Sequence, residues 1–210
     1  EKEFKKLLSS LEIIETISGG SVANSIVGLS QMGNAVGFIG KVSDDELGKK
    51  YEDGLNKEKV KYLYKKKIED IPTGSCLILV TPDSERTMCT FLGTAGRIND
   101  NDVKEDDIRN AEIVFLEGYL WDEGDPKKAF DKAIAHSKKV AMSLSDLFCV
   151  ERHKAHFLEL VKTKLDIVFA NEQEIKSLID AKTFDEAVYF AKETKRNIII
   201  TRGEKGAISI

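Results

Sequence analysis

The chain has 210 residues, 41% of them hydrophobic and 32% charged, with a formal net charge of −4. That length suits one α/β domain with a sizeable core, and that composition belongs to folded chains, which excludes a disordered one. Lysine runs such as Lys65-Lys66-Lys67 are diluted by acids throughout, so nucleic acid is excluded as the expected partner.

No apolar run approaches the ~20 residues that span a bilayer, so no membrane partner is expected. Glu1-Lys2-Glu3-Phe4 lacks the apolar core of a signal peptide. Cys76, Cys89 and Cys149 have no paired spacing. An odd, sparse set fits free thiols in a reducing cytoplasm.

Residues 3–17 read as a short helix followed by an extended lead-in. Ser18-Gly19-Gly20-Ser21-Val22-Ala23-Asn24 then joins that lead-in to a helical pattern. Adjacent glycines allow a sharp turn and a close ligand approach, and the first amides of a helix lack partners within it. The combination suits polar or anionic groups, and Asn24 is placed to bond a hydroxyl. An ordinary tight turn is the competing reading.

The helix over about 22–33 stops at Gly33. Residues 35–42 form an apolar run bounded by turn signals, which predicts a buried strand. Ser43-Asp44-Asp45 caps a helix over 46–57. A strand is expected over 60–65, a turn at Pro72-Thr73-Gly74, and a hairpin of strands 75–81 and 87–92. The hairpin interrupts an alternating β/α pattern, as a lid would. Asn99–Asp107 reads as loop and helix cap, because its spacing departs from a calcium loop. Further strands are expected at 111–118, 140–144, 166–170, 197–201 and from 207. Helices are expected at 126–138, 151–164, up to 178, and 183–194. His153 and His156 could share a metal, but no third ligand is near, so surface histidines are expected. Apolar strands alternating with helices predict a mostly parallel sheet whose ligands bind beyond the strands' carboxyl ends.

Three polar clusters fall at such ends. Asn171 and Glu174 read first as a capping box, and alternatively as oxygen donors for a water-coordinated Mg2+ near phosphates. Thr201 and Gly203 offer a hydroxyl and a close backbone for a nucleotide, or a plain turn. The Gly-Gly turn is the third. Gly-x-x-x-x-Gly-Lys-Ser/Thr and Gly-x-Gly-x-x-Gly are both absent, which argues against P-loop and dinucleotide enzymes.

Taken in order, Gly-Gly-Ser-x-x-Asn-Ser, Ile39 to Gly48 (Ile-Gly-x-Val-x-Asp-Asp-x-x-Gly), Pro-Thr-Gly-Ser-Cys at 72–76, Asn171-x-x-Glu174 and Thr201-x-Gly203 resemble the ribokinase/PfkB family. Within it the likeness is strongest to adenosine kinases, through Glu117-Gly118-Tyr119-Leu120, Ser143-Leu144-Ser145 and the stretch 166–174. Many sugar kinases of the family carry Asp-x-Asn-x-Arg where this chain has Ser143-Leu144-Ser145-Asp146-Leu147, which favours a nucleoside.

The resemblance implies a ribokinase-like three-layer α/β/α fold, a mostly parallel sheet with a small β lid formed within about 60–92. It implies one domain over 1–210. It also implies transfer of the γ-phosphoryl of ATP to the 5′-hydroxyl of an adenosine-like nucleoside, with ATP and Mg2+ as cofactors. Gly19, Gly20, Ser21 and Asn24 would hold the ribose. Cys76 and Tyr119 would lie beside the acceptor. Arg86 would bring a cation to the transferring group. Asn171 and Glu174 would organise Mg2+ and phosphates through water, and Thr201 and Gly203 would border the nucleotide.

The family's first Gly-rich strand and its Gly-Ala-Gly-Asp catalytic segment are not matched within 1–210. The chain is therefore expected to be a fragment that turns over negligibly alone, and it offers no catalytic base. A sugar kinase of the same family (ribose or fructose acceptor) and a non-catalytic nucleoside-binding module remain alternatives. The lid either covers its own site or pairs with that of a second copy, as in a homodimer.

Overall fold

The structure, a computed structural model, describes residues 2–121 and 125–210. The chain divides into two units, Glu1–Ile98 and Asn99–Ile210.

In the first unit, α1 (Lys2–Ser9) is followed by a stretch without regular structure up to Gly20, and then by α2 (Ser21–Gln31). The stop of α2 follows from Gly33 at φ 88°. Its N–H donates to Ser30 O at 2.8 Å, and that of Asn34 donates to Leu29 O at 3.1 Å, so two terminal carbonyls are satisfied. α3 spans Glu46–Lys57 with Asp45 as its N-cap. Ala23, Ile26, Leu55 and Val60 form the core here, with Phe38, Tyr51 and Tyr62 packed against it.

The predicted strands 35–42 and 60–65 are much shorter than expected. Only β1 (Gly37–Phe38) and β2 (Lys61–Tyr62) pair, in parallel. Gly37 and Gly40 interrupt the apolar run, and glycine weakens a strand interior. β2 therefore belongs with β1. The hairpin is confined to β3 (Ser75–Val80) and β4 (Arg86–Phe91), an antiparallel two-stranded sheet. Strict alternation splits its side chains. Leu77, Leu79, Cys89 and Phe91 are half-buried, with Phe4 of α1 at 5.9 Å from the Phe91 ring. Cys76, Ile78, Val80 and Met88 face solvent.

In the second unit, Asn99 caps a 3-10 turn at Asp100–Asp102, and α4 (Glu105–Arg109) follows. The remaining elements are β5 (Val114–Glu117), α5 (Asp125–His136), β6 (Val140–Ser143), α6 (Leu147–Thr163), β7 (Ile167–Asn171), α7 (Glu172–Leu178), α8 (Phe184–Thr194), β8 (Asn197–Thr201) and β9 (Ala207–Ser209). The strands form one five-stranded sheet in the order β5-β6-β7-β8-β9. The first four are parallel and β9 is antiparallel to β8. With right-handed crossovers always stepping in one direction, α5 to α8 fall on one face of the sheet. That face is dry: Met142, Val168, Ile198, Ile200, Phe157 and Ile175 are fully buried. Phe115 and Phe169 meet edge to face at 5.7 Å, and Phe169 is 38% exposed.

α6 begins four residues earlier than predicted because the Asp146 carboxylate accepts from Phe148 N–H and caps it. His153, at φ −117° and ψ 21°, breaks the helix internally. No described helix is long and apolar enough to cross a membrane.

Candidate functional site

The parallel register sets the carboxyl ends of β5 to β8 side by side. Glu117 pairs with Ser143, Ser143 with Phe169, and Asn171 with Thr201. Two of the three predicted clusters, Asn171/Glu174 and Thr201/Gly203, are thus brought together on one rim.

Asn171 and Glu174 form a complete capping box. Asn171 Oδ1 accepts from Glu174 N–H at 2.8 Å, and Glu174 Oε2 accepts from Asn171 N–H at 3.0 Å. Asn171 Nδ2 also donates to Glu174 Oε1 at 2.7 Å. Glu174 is 5% exposed. Burial pushes its carboxyl above the usual glutamate range; the Asn171 N–H opposes this and the Asp146 charge adds to it. Each carboxylate oxygen keeps further acceptor capacity, so the pair fits Mg2+ through water. It does not fit a directly ligated ion: among the described residues no group of three His, Cys, Asp or Glu is arranged to hold one.

Thr201 and Gly203 are exposed at the end of β8, with Gly203 at φ 57°. Arg202 N–H donates to Gly206 O at 2.8 Å and closes this turn. The Arg202 side chain, unnoticed in the sequence, turns back across the rim. Its Nε donates to Glu172 Oε2 at 2.9 Å, and its guanidinium lies over the Phe184 ring at 3.7 Å.

At the β5 and β6 ends, Ser145 has φ 75° and its Oγ accepts from Gly118 N–H at 2.6 Å. Tyr119 OH donates to Ser145 O at 3.2 Å, and its ring, 40% exposed, lies 6.0 Å from that of Phe148. Burial raises the Tyr119 hydroxyl pKa, with the Asp146 charge adding to the effect. The Asp146 charge thus acts on both Tyr119 and Glu174. Its signal in the sequence was a cap-forming Asp directly before an apolar helix.

The histidine pair does not form a metal site. His156 Nδ1 accepts from Trp121 Nε1 at 3.0 Å. The ring of His153 lies 5.7 Å from that of Phe157.

In the first unit, Gly20 is the residue before α2 at φ 120°, and no side chain caps that helix. Asn24 N–H donates to Gly20 O at 2.8 Å, which completes the first turn. Gly19, Ser21 and Asn24 are exposed. Cys76 is an exposed free thiol that accepts from Thr90 Oγ1 at 3.3 Å. Arg86 is exposed where β4 begins, opposite Val80.

The 39–48 and 72–76 motifs prove to be one hydrogen-bonded unit. Asp45 Oδ1 accepts from Gly48 N–H and Thr73 Oγ1, both at 2.7 Å, and Oδ2 accepts from Thr73 N–H at 2.8 Å. Ser43 N–H donates to Thr73 Oγ1 at 3.0 Å. A Cβ on Gly48 would lie 2.0 Å from Ser43 O, so no other residue fits. Burial alone would raise Asp45, but the donors from Thr73 and Gly48 outweigh it and hold its carboxyl below the usual range.

The pfkB family carbohydrate kinase model matches residues 5–210. The 5-dehydro-2-deoxygluconokinase of Mesomycoplasma hyopneumoniae (strain 232) is 25% identical over 95% of this chain and 64% of its own length. The structure of adenosine kinase from Sinorhizobium meliloti is 33% identical with a TM-score of 0.89, covering 100% of this chain and 65% of that one. A probable sugar kinase from Rhizobium etli CFN 42 is also 33% identical, with a TM-score of 0.91 over 100% of this chain and 65% of that one. The chain thus spans 64% to 65% of the length of these relatives. The family match runs through the Gly-Gly turn, the Asp45–Thr73 lock and the β7–β8 rim alike, and the chain belongs to the pfkB family of carbohydrate kinases.

Proposed function

We propose that the protein transfers the γ-phosphoryl group of ATP to the 5′-hydroxyl of an adenosine-like nucleoside. The observation that carries this reading is the rim itself. The hydrogen-bonded Asn171/Glu174 pair, its carboxylate buried and its amide residue exposed, stands one strand from the exposed Thr201–Gly203 turn, where a nucleotide's phosphates would meet backbone N–H groups and a water-held cation. Mg2+, when bound, would offset charge on the phosphate oxygens.

In this reading Gly19, Gly20, Ser21 and Asn24 hold the acceptor's ribose, with Asn24 bonding a hydroxyl. Cys76 and Tyr119 border the acceptor. Arg86 supplies a cation to the phosphoryl group in flight. Asn171 and Glu174 hold the waters around Mg2+, and Thr201 and Gly203 border the nucleotide. Rate enhancement then comes from positioning and charge stabilisation.

The nucleoside preference rests on Ser143-Leu144-Ser145. Ser143 and Ser145 stand where many sugar kinases of the family carry Asp and Asn, and Ser145 Oγ accepts from Gly118 N–H. A second reading, a sugar kinase, is favoured by the names of the sequence relatives, which include 5-dehydro-2-deoxygluconokinase.

The test is ATP-dependent phosphorylation by the full-length gene product of adenosine, ribose, fructose and 5-dehydro-2-deoxygluconate, read as kcat/KM. Adenosine as best acceptor supports the proposal. A sugar or sugar acid as best acceptor supports the second reading. Binding of adenosine without turnover of any acceptor would leave a non-catalytic nucleoside binder.

A further inference from the structure

We propose that Arg202 is a positioning residue of the nucleotide rim, which neutralises Glu172 and so keeps the entrance to the β7–β8 ends open to an anionic ligand. This rests on the reading of that rim as the ATP side of the site.

Glu172 is the first residue of α7, directly after Asn171. An acid there suits the positive end of the helix but sits where a polyphosphate is to approach. Arg202 removes that conflict. Its Nε bonds Glu172 at 2.9 Å, and its guanidinium plane lies 3.7 Å from the centre of the Phe184 ring at the start of α8. Both partners are held at part-buried positions, with side-chain exposures of 22% for Arg202 and 30% for Glu172.

A planar, stacked guanidinium is pre-organised, so little freedom is lost in making the bond. Lys176 and Lys205 also act on Glu172, but through space and less strongly than the Arg202 hydrogen bond. The same side chain joins the turn after β8 to the first residue of α7, and so ties Thr201 and Gly203 to Asn171 and Glu174. No second basic side chain in the turn could replace it in kind: Lys205 is exposed and carries no planar fork.

The test is calorimetric titration of Mg·ATP and, separately, adenosine into the full-length protein and three variants: Arg202→Gln, Glu172→Gln and the double variant. Arg202→Gln is expected to weaken Mg·ATP about tenfold, the effect of one uncompensated charge near the ligand, and to leave adenosine binding unchanged. Glu172→Gln should bind Mg·ATP more tightly than the unaltered protein does, because it leaves the Arg202 charge uncompensated. The double variant should recover most of the loss, because the repelling carboxylate is gone.

Three results would overturn the inference: Arg202→Gln binding Mg·ATP normally, the double variant remaining as weak as Arg202→Gln, or adenosine binding falling equally. Failure of the unaltered protein to bind Mg·ATP is a separate outcome. It would remove the reading of the rim, and this inference with it.

Discussion

Asn171 and Glu174 direct their side chains at each other, whereas Asn24, also on the first turn of a helix, engages no described protein group with its amide. α7 begins under a complete capping box; α2 begins at Gly20 with no side-chain cap. Both ends present the partial positive charge of a helix N-terminus. One is stiffened by the protein's own groups, and the other leaves the Asn24 amide side chain exposed. The difference separates two jobs. In the proposed reading, a rim that holds waters and phosphates in fixed geometry is pre-bonded. In the same reading, the exposed Asn24 amide is the group that meets the acceptor's hydroxyl.

Substitutions can break that comparison, and the largest effect is expected at the stiff end. Glu174→Ala removes the buried carboxylate and half of the capping box. Phosphorylation should fall about 100-fold, the upper range for an outer-shell partner of a metal. Stability should fall by about 1–2 kcal/mol through the lost cap. Urea unfolding and kcat/KM for ATP check both. A variant with normal activity would mean that the carboxylate is only a cap.

Asp45→Ala sharpens the comparison from a structural side. Asp45 receives three bonds but lies outside the proposed ligand contacts. Its loss should cost about 2 kcal/mol of unfolding free energy, read from urea denaturation, and leave KM for ATP unchanged. A changed KM with unchanged stability would reverse the assignment.

Asn24→Ala tests the open end. Acceptor KM should rise about tenfold, as for one lost hydrogen bond to a substrate, with no change in stability or in KM for ATP. Equal losses for both substrates would remove the ribose role.

The smallest effect is in pH dependence, and the two carboxylates have opposite signs. The Asp45 carboxyl is held below the usual 3.8, so its contribution is present above that pH and is lost as pH falls through the lowered value. Glu174 is raised above 4.5, so its contribution is present below that pH and is lost as pH rises through the raised value. Hydrogen exchange in α7 should therefore slow as pH falls from neutral toward 4.5, after correction for intrinsic rates, and Glu174→Gln should abolish the trend. A trend that persists in the variant would place its origin elsewhere.

Much of this was legible in the sequence because the signals are local. α3 was bounded by an Asp cap, the hairpin by Pro82–Glu85, and β6 and β8 by short apolar runs between turns. The capping box at 171–174 is a four-residue pattern. What escaped depends on distant pairing. Nothing near Asp45 reveals that Thr73 completes its bonding, and nothing near Arg202 names Glu172 and Phe184 as its partners. The Arg202 contacts exist because parallel register brings β7 and β8 together. The strand lengths at 35–42 and 60–65 were overread because apolar composition alone does not count ladder partners, and Gly37 and Gly40 limit the pairing.

The most direct measurement is a crystal structure of the full-length protein with Mg2+, a non-hydrolysable ATP analogue and adenosine. The expected result is the analogue's phosphates at the ends of β7 and β8 and the ribose at Gly20 and Asn24. Phosphates bound away from Asn171, Glu174 and Gly203, or the ribose bound away from Gly20 and Asn24, would contradict it.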